Sequence, residues 1–200
     1  MPRETCSQCF RPPSLCYCHA LVQITNTTKV VIIQHPLEEK HPFNTGRIAQ
    51  LCLTNCEFIV AETLAGNELT KILNVPSVLL YPSLEWLPKV AEINNDPQLA
   101  LKTIQQLIVI DANWKKSKKI LHLHPQLQQL PRINLDGDCH SLYAIRKTSM
   151  QNGLSTLESI VKAMNLLEAT TKFQPMLKPF EQMIALQQAS QFQHNKLNKN

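Results

Sequence analysis

Short apolar runs recur along this chain, and segments with helical spacing separate most of them. Four runs have the length and β-branched content of buried strands: 29–35 (KVVIIQH), 57–62 (EFIVAE), 77–82 (SVLLYP) and 107–110 (LIVI). Three segments show helical spacing: 44–55, 96–106 and 114–124, the last of which is stopped by a proline. The order β-α-β-β-α-β-α predicts an α/β domain with a mostly parallel sheet.

The last third of the chain is more helical. Ser155 and Glu158 stand in the S-x-x-E relation of a capping box, so a helix is predicted over 154–168. A second helix is predicted over 175–192, and the polar tail over 193–200 is predicted to be frayed.

Four of the seven cysteines lie in the first eighteen residues, in the stretch CSQCFRPPSLCYC: Cys6, Cys9, Cys16 and Cys18. A C-x2-C pair and a C-x-C pair can direct four thiolates at one tetrahedral centre, and His19 could replace one of them. In a reducing cytosol this pattern suits Zn²⁺ better than disulfides, with a cluster of free or redox-active thiols as the alternative. We predict a structural zinc knuckle over 1–25, followed by one α/β domain over 26–192.

The charge distribution favours a polyanionic partner. The net charge is +5, and four lysines crowd into the start of the segment 114–124: Lys115, Lys116, Lys118 and Lys119. Lysines in a first helical turn are unfavourable for stability, because they oppose the helix dipole. Their presence therefore favours a role in phosphate binding; a solvated helix face is the alternative. No apolar run is long enough to span a bilayer and no signal peptide is visible, so we expect a cytoplasmic protein without membrane contact. No feature indicates an obligate protein partner.

The four glycines are too far apart for a G-x-G-x-x-G or P-loop fingerprint, so any nucleotide-like cofactor must be held in another way. Asp111 directly follows the run 107–110. If this run is a central parallel strand, Asp111 lies at the sheet edge where ligands of open α/β sheets bind. The alternative is that Asp111 or Asn113 merely caps the next helix.

Several short motifs occur in order between residues 6 and 168. They are the cysteine knuckle, QHPLEEKHPFNTGR (34–47), LLYPS (79–83), DANW (111–114), SLYAIRK (141–147) and LSTLE (154–158). Together they resemble the DTW-domain family. The family signature is Asp-any-Thr-Trp, and this chain has Asn113 where threonine is expected; asparagine caps a helix as threonine does.

The resemblance implies a fold and an activity. The family is associated with tRNA-uridine aminocarboxypropyltransferases, which transfer the 3-amino-3-carboxypropyl arm of S-adenosylmethionine to N3 of a uridine. The implied fold is similar to the SPOUT methyltransferases, in which the chain can form a trefoil knot and backbone loops grip the cofactor. Two alternatives stay open: a SPOUT-like RNA methyltransferase and a non-enzymatic, zinc-containing RNA-binding module.

Asp111 is the candidate catalytic residue. Attack by uridine N3 requires removal of a proton, and desolvation at an apolar strand end would make a carboxylate a stronger base. Holding the ammonium group of the cofactor is the alternative role. Trp114 is expected to stack on adenine or on the target base, or else to anchor the helix as a core indole.

Other site residues follow from the resemblance, or from charge and position in the case of the RNA-binding candidates. The cofactor-binding candidates are Leu80, Tyr81, Pro82, Trp114, Ser141 and Arg146, the last of which suits a carboxylate or a phosphate. The RNA-binding candidates are the four lysines and Arg47, which stands near a predicted helix N-terminus. His35 is either catalytic or held in a local hydrogen bond.

Overall fold

A five-stranded sheet forms the centre of the structure, a computed structural model that describes residues 4–39, 41, 43–93, 103–135 and 154–197. Its strands are β1 (Lys29–Gln34), β2 (Cys56–Val60), β3 (Ser77–Leu80), β4 (Gln106–Asp111) and β5 (Arg132–Ile133). They lie in the order β2-β1-β4-β3-β5, and every neighbouring pair is parallel. This arrangement confirms the predicted α/β class with a parallel sheet.

Helices connect and cover the strands. They are α1 (Thr45–Cys52), α2 (Gly66–Leu73), α3 (Trp114–Leu123), α4 (Pro125–Gln128), α5 (Thr156–Leu167) and α6 (Leu177–Leu197). Short 3-10 turns occur at Pro13–Leu15, Cys18–Ala20, Pro36–Glu38 and Gln174–Met176. Within the described ranges, no helix is both long and apolar enough to cross a bilayer.

The core consists of two apolar layers, one on each face of the sheet. Side chains alternate along a strand, so Ile32 of β1 points to one face and its neighbour Ile33 to the other. Helices α1, α5 and α6 pack on the first face, whereas α2, α3 and α4 pack on the second. Both faces are therefore covered, as expected for a parallel sheet whose strands are apolar throughout.

Side-chain caps define where the helices begin. Asn44 accepts a hydrogen bond from the backbone N–H of Arg47 and starts α1. In α5 the predicted capping box is confirmed, because Ser155 and Glu158 bond reciprocally to each other's backbone N–H groups.

Some elements differ from the sequence predictions. Most of the helix predicted over 96–106 lies outside the described residues, but Gln106 is the first residue of β4 and not the end of a helix. Its buried side chain donates to Ile72 and Ser77, so tertiary contacts override the local helical pattern. Helix α2 and the two-residue strand β5 were not predicted, and α6 continues to Leu197, past the start of the predicted frayed tail.

Candidate functional site

Asp111 lies at the carboxyl edge of the sheet, at the end of the central strand β4. It pairs with Gln34, the last residue of β1, and is 8% exposed. One carboxylate oxygen accepts from Gln34 Nε2 at 2.6 Å, and the other accepts from Thr156 Oγ1 at 2.6 Å. The carboxylate therefore ties β1 and the first turn of α5 to the end of β4.

Helix α1 begins directly against this carboxylate. A Cβ atom built on Gly46 would lie only 2.3 Å from Asp111 Oδ2, so the close approach requires glycine at this position. Asn44 strengthens the junction, because its Oδ1 accepts from both Gln34 Nε2 at 2.8 Å and Arg47 N at 3.0 Å. The N-terminus of α1 thus abuts a negative charge, which the helix dipole favours.

The cap of α3 is Asn113 and not Asp111. Asn113 Oδ1 accepts from Lys116 N at 3.0 Å, in the position where the family signature has threonine. Asp111 directs both oxygens to other elements, so the reading of Asp111 as a mere helix cap is wrong.

Trp114 starts α3 and is 41% exposed, so the prediction of a core indole is wrong. Its ring meets Tyr81 edge-on, with centroids 5.7 Å apart. Burial raises the pKa of Tyr81, whose hydroxyl lies 3.0 Å from Ser117 Oγ. Leu80 is buried and Pro82 half-buried, and their roles in cofactor binding stay predictions, as do those of Tyr81 and Trp114. Ser141 and Arg146 lie outside the described residues.

His35 is held in a local network at the same edge. Its Nδ1 accepts from Leu37 N at 3.1 Å, and its Nε2 lies 2.8 Å from Glu62 Oε1, an arrangement in which Nε2 donates to the carboxylate. Hydrogen bonds from Lys119 and His35 hold the pKa of the Glu62 carboxyl below its usual range. These contacts account for His35 without a catalytic role.

The four clustered lysines of α3 do not share one environment. Lys116 Nζ binds Glu38 Oε1 at 2.7 Å, and Lys119 Nζ binds Glu62 at 2.7 Å. Lys115 is exposed, and the ammonium group of Lys118 lies 5.9 Å from the ring centre of Trp86.

Arg47 contacts the N-terminal cysteine segment. Its guanidinium donates twice to the carbonyl of Gln8, at 2.7 and 3.0 Å, and lies 4.4 Å from the ring centre of Phe10. Phe10 has a positive φ of 58°, a conformation that disfavours side chains, and the cation–π contact with Arg47 gives one reason for a ring there. A contact of Arg47 with RNA stays a prediction.

The four N-terminal cysteines converge on one point. Their sulfur atoms all lie within 4.8 Å of one another and form no disulfide. The pairs Cys6–Cys18 and Cys9–Cys16 are each separated by 3.7 Å. A tetrahedron with Zn–S bonds of about 2.3 Å has edges of about 3.8 Å, so the donor set fits a tetrahedral metal ion.

The pKa values of these thiols are shifted in opposite directions. Backbone N–H groups of Cys9 and Gln8 lower the pKa of the Cys6 thiol to about 6, which favours the thiolate that binds metal. Burial raises the pKa of the Cys9 and Cys18 thiols.

Two functional neighbours of Asp111 were missed in the sequence. Gln34 is fully buried at the end of an apolar strand, and Thr156 follows the capping Ser155. A polar residue that ends a buried strand was a visible signal for Gln34. The contact of Thr156 depends on how α5 packs against the sheet, which no local pattern predicts.

Sequence comparisons identify the family to which this site belongs. A model of the DTW domain matches residues 3–188, so the chain belongs to the DTW domain family, as the motifs predicted.

Several curated relatives share one name. The tRNA-uridine aminocarboxypropyltransferase 2 of Drosophila melanogaster is 29% identical, over 92% of this chain and 75% of the relative. The protein of that name from Macaca fascicularis is 27% identical, over 92% of this chain and 64% of the relative. The tRNA-uridine aminocarboxypropyltransferase A of Arabidopsis thaliana is 31% identical, over 60% of this chain and 50% of the relative. The chain thus spans only part of each relative, and no solved structure gives a significant match.

Proposed function

We propose that this protein transfers the 3-amino-3-carboxypropyl group of S-adenosylmethionine to N3 of a uridine in tRNA, forming 3-(3-amino-3-carboxypropyl)uridine. The observation that carries the proposal is the DTW domain match over residues 3–188, together with relatives that carry the name tRNA-uridine aminocarboxypropyltransferase. We expect the enzyme to act in the cytoplasm.

The proposed cofactor site is the carboxyl edge of the sheet. The edge combines a buried carboxylate, Asp111, with a partly exposed indole, Trp114. These groups suit a ligand that has an aromatic base and positive charge, as S-adenosylmethionine does. The proposed cofactor-binding residues are Leu80, Tyr81, Pro82, Trp114, Ser141 and Arg146, in a fold that we propose to be SPOUT-like.

S-adenosylmethionine supplies an electrophilic carbon next to its sulfonium. Asp111 is the proposed catalytic group, either as the base that takes the N3 proton or as the charge that holds the ammonium group. The hydrogen bonds that the carboxylate accepts from Gln34 and Thr156 fix its orientation, so that it is positioned before the substrates bind.

We propose that the cysteine cluster holds one structural Zn²⁺ through Cys6, Cys9, Cys16 and Cys18. Four protein ligands leave no open position for substrate, so the ion would stabilise the fold and take no part in the transfer. The 3.7 Å sulfur separations support this proposal.

The small-molecule product tests the proposed reaction. The protein is incubated with S-adenosylmethionine and tRNA that lacks the modification. Mass spectrometry then identifies the small-molecule product and the modified nucleoside of the tRNA. Aminocarboxypropyl transfer releases methylthioadenosine, whereas methyl transfer releases S-adenosylhomocysteine. Formation of S-adenosylhomocysteine, or of neither product while tRNA still binds, would refute the proposal.

A further inference from the structure

The lysine cluster of α3 separates into two pairs with different partners. Lys116 and Lys119 form ion pairs with Glu38 and Glu62, carboxylates that follow β1 and β2. Their charge is largely balanced within the protein. Lys115 and Lys118 are exposed, as Lys119 is, but form no ion pair with a described carboxylate, so they contribute most of the unbalanced positive charge of α3.

Aromatic rings lie close to Lys118. Trp86 stacks on His122, with ring centroids 4.8 Å apart and planes 26° from parallel. Lys118 Nζ lies 5.9 Å from the Trp86 ring centre, and His122 Nδ1 lies 2.8 Å from the carbonyl of Lys118. The side chains Trp86, Trp114, Lys115, Lys118 and His122 are named the basic–aromatic strip below.

The strip leads away from the candidate active site. Trp114, Lys118 and His122 are four residues apart in α3 and therefore share one helix face. From Trp114, beside the sheet edge, the strip extends about 12 Å along the helix axis to His122. On the shared face, Lys118 lies between the rings of Trp114 and His122.

We propose that the basic–aromatic strip binds a single-stranded segment of the substrate RNA, next to the nucleotide that is modified. The inference rests on the proposed function for the identity of the RNA. Aromatic rings stack on unpaired bases and lysines bind the phosphates between them, whereas duplex RNA is recognised mainly by its shape and its sugar hydroxyls. The mixture of rings and cations thus favours a single strand over a duplex, and over an acidic protein, which needs no stacking rings.

The chain provides its own reporter for this contact. Its two tryptophans, Trp86 and Trp114, both belong to the strip. We expect a short oligouridylate to quench their fluorescence, and an RNA duplex of the same length to quench it much less. Replacing Trp86 with leucine is expected to weaken oligouridylate binding by about fivefold or more, read for this variant by anisotropy of a labelled oligonucleotide.

Two double variants that each remove two positive charges are compared, the first as the test of the strip and the second as its control. Lys115→Ala with Lys118→Ala is expected to make the salt dependence of oligouridylate binding shallower by up to about 1.4 in logarithmic slope. Lys71→Ala with Lys178→Ala removes exposed lysines from α2 and α6, and we expect the slope to stay unchanged. Thermal melting of each variant verifies that it is folded.

The outcomes separate this inference from the proposed function. Equal slopes in the two double variants, or equal quenching by duplex RNA or an acidic peptide, would overturn the strip even if methylthioadenosine is formed. Strip-dependent binding of oligouridylate without methylthioadenosine would support the strip and refute the proposed reaction.

Discussion

The contact between Gly46 and Asp111 makes one substitution especially informative. In Gly46→Ala the new methyl group would lie 2.3 Å from Asp111 Oδ2 and 2.9 Å from its Cγ, whereas ordinary contacts begin at 3.4 Å. Either the carboxylate or the start of α1 must move by about 1 Å. If the carboxylate moves, its two hydrogen bonds, both 2.6 Å long, would approach 3.6 Å, a length at which a hydrogen bond is lost.

The size of the effect follows from these contacts. Each hydrogen bond to a charged group contributes about 1.5–3 kcal/mol, and alanine regains about 1 kcal/mol in helix propensity. We therefore expect Gly46→Ala to lower the free energy of unfolding by about 2–5 kcal/mol. For a chain of this size the melting temperature should fall by at least about 5 °C.

Gly66→Ala is the matched control, because Gly66 also lies in the first turn of a helix but a methyl group there meets nothing within 4 Å. It should leave stability unchanged or raise it by up to about 1 kcal/mol. Thermal and urea unfolding of both variants, with transfer activity measured on bulk tRNA, provide the comparison. If Gly46→Ala melts like Gly66→Ala and keeps full activity, the close approach to Asp111 is not a constraint.

Three further substitutions test other parts of the structure. Cys6→Ser should abolish the binding of about one zinc per chain, measured by metal analysis, and lower stability; parent protein that is metal-free and unaffected by chelators would contradict this. Asp111→Asn should keep the fold, at a cost of about 2–3 kcal/mol because both hydrogen bonds lose their charge, and reduce turnover by roughly a hundredfold or more. Intact S-adenosylmethionine affinity would favour the base, and weakened affinity would favour the positioning charge. Burial alone would raise the pKa of Glu168, but hydrogen bonds from Lys172 and from backbone N–H groups outweigh it and hold that pKa below its usual range. The stabilisation that Glu168 provides is therefore present above about pH 4.3 and is lost as the pH falls through its lowered pKa in the folded protein. In Glu168→Gln, the free energy of unfolding in urea should fall less steeply at acid pH than in the parent. The same fall in both proteins would refute this.

Local pattern was sufficient for the elements with strong apolar periodicity. The runs that became β1 and β4 were predicted because their central residues, 30–33 and 107–110, are all apolar and suit a strand that is buried on both faces. The capping box of α5 was predicted from two residues because its hydrogen bonds are local. Helix α2 was missed because it is only eight residues long, begins at Gly66 and has no side-chain cap that a sequence motif would reveal.

The sequence placed Asp111 at the end of a strand but did not reveal its surroundings. Gly46 and Thr156 meet Asp111 only because α1 and α5 pack on the same face of the sheet. The lysines of α3 also could not be assigned contacts from the sequence, because their spacing predicted one positive patch. The partners Glu38 and Glu62 stand far away in the chain, so only the tertiary structure separates paired lysines from exposed ones.

The N-terminal cysteine segment packs against the other end of the described chain. Arg11 Nη2 donates to Gln187 Oε1 of α6 at 2.8 Å, across a sequence separation of 176 residues. The four cysteines are close in sequence, so their cluster can assemble early during synthesis. The surface of α6 on which the segment packs is synthesised after every other described element. Such long-range contacts slow folding and leave apolar surface exposed in the meantime. The contact between Arg11 and α6 is therefore expected to be among the last to form as the chain folds.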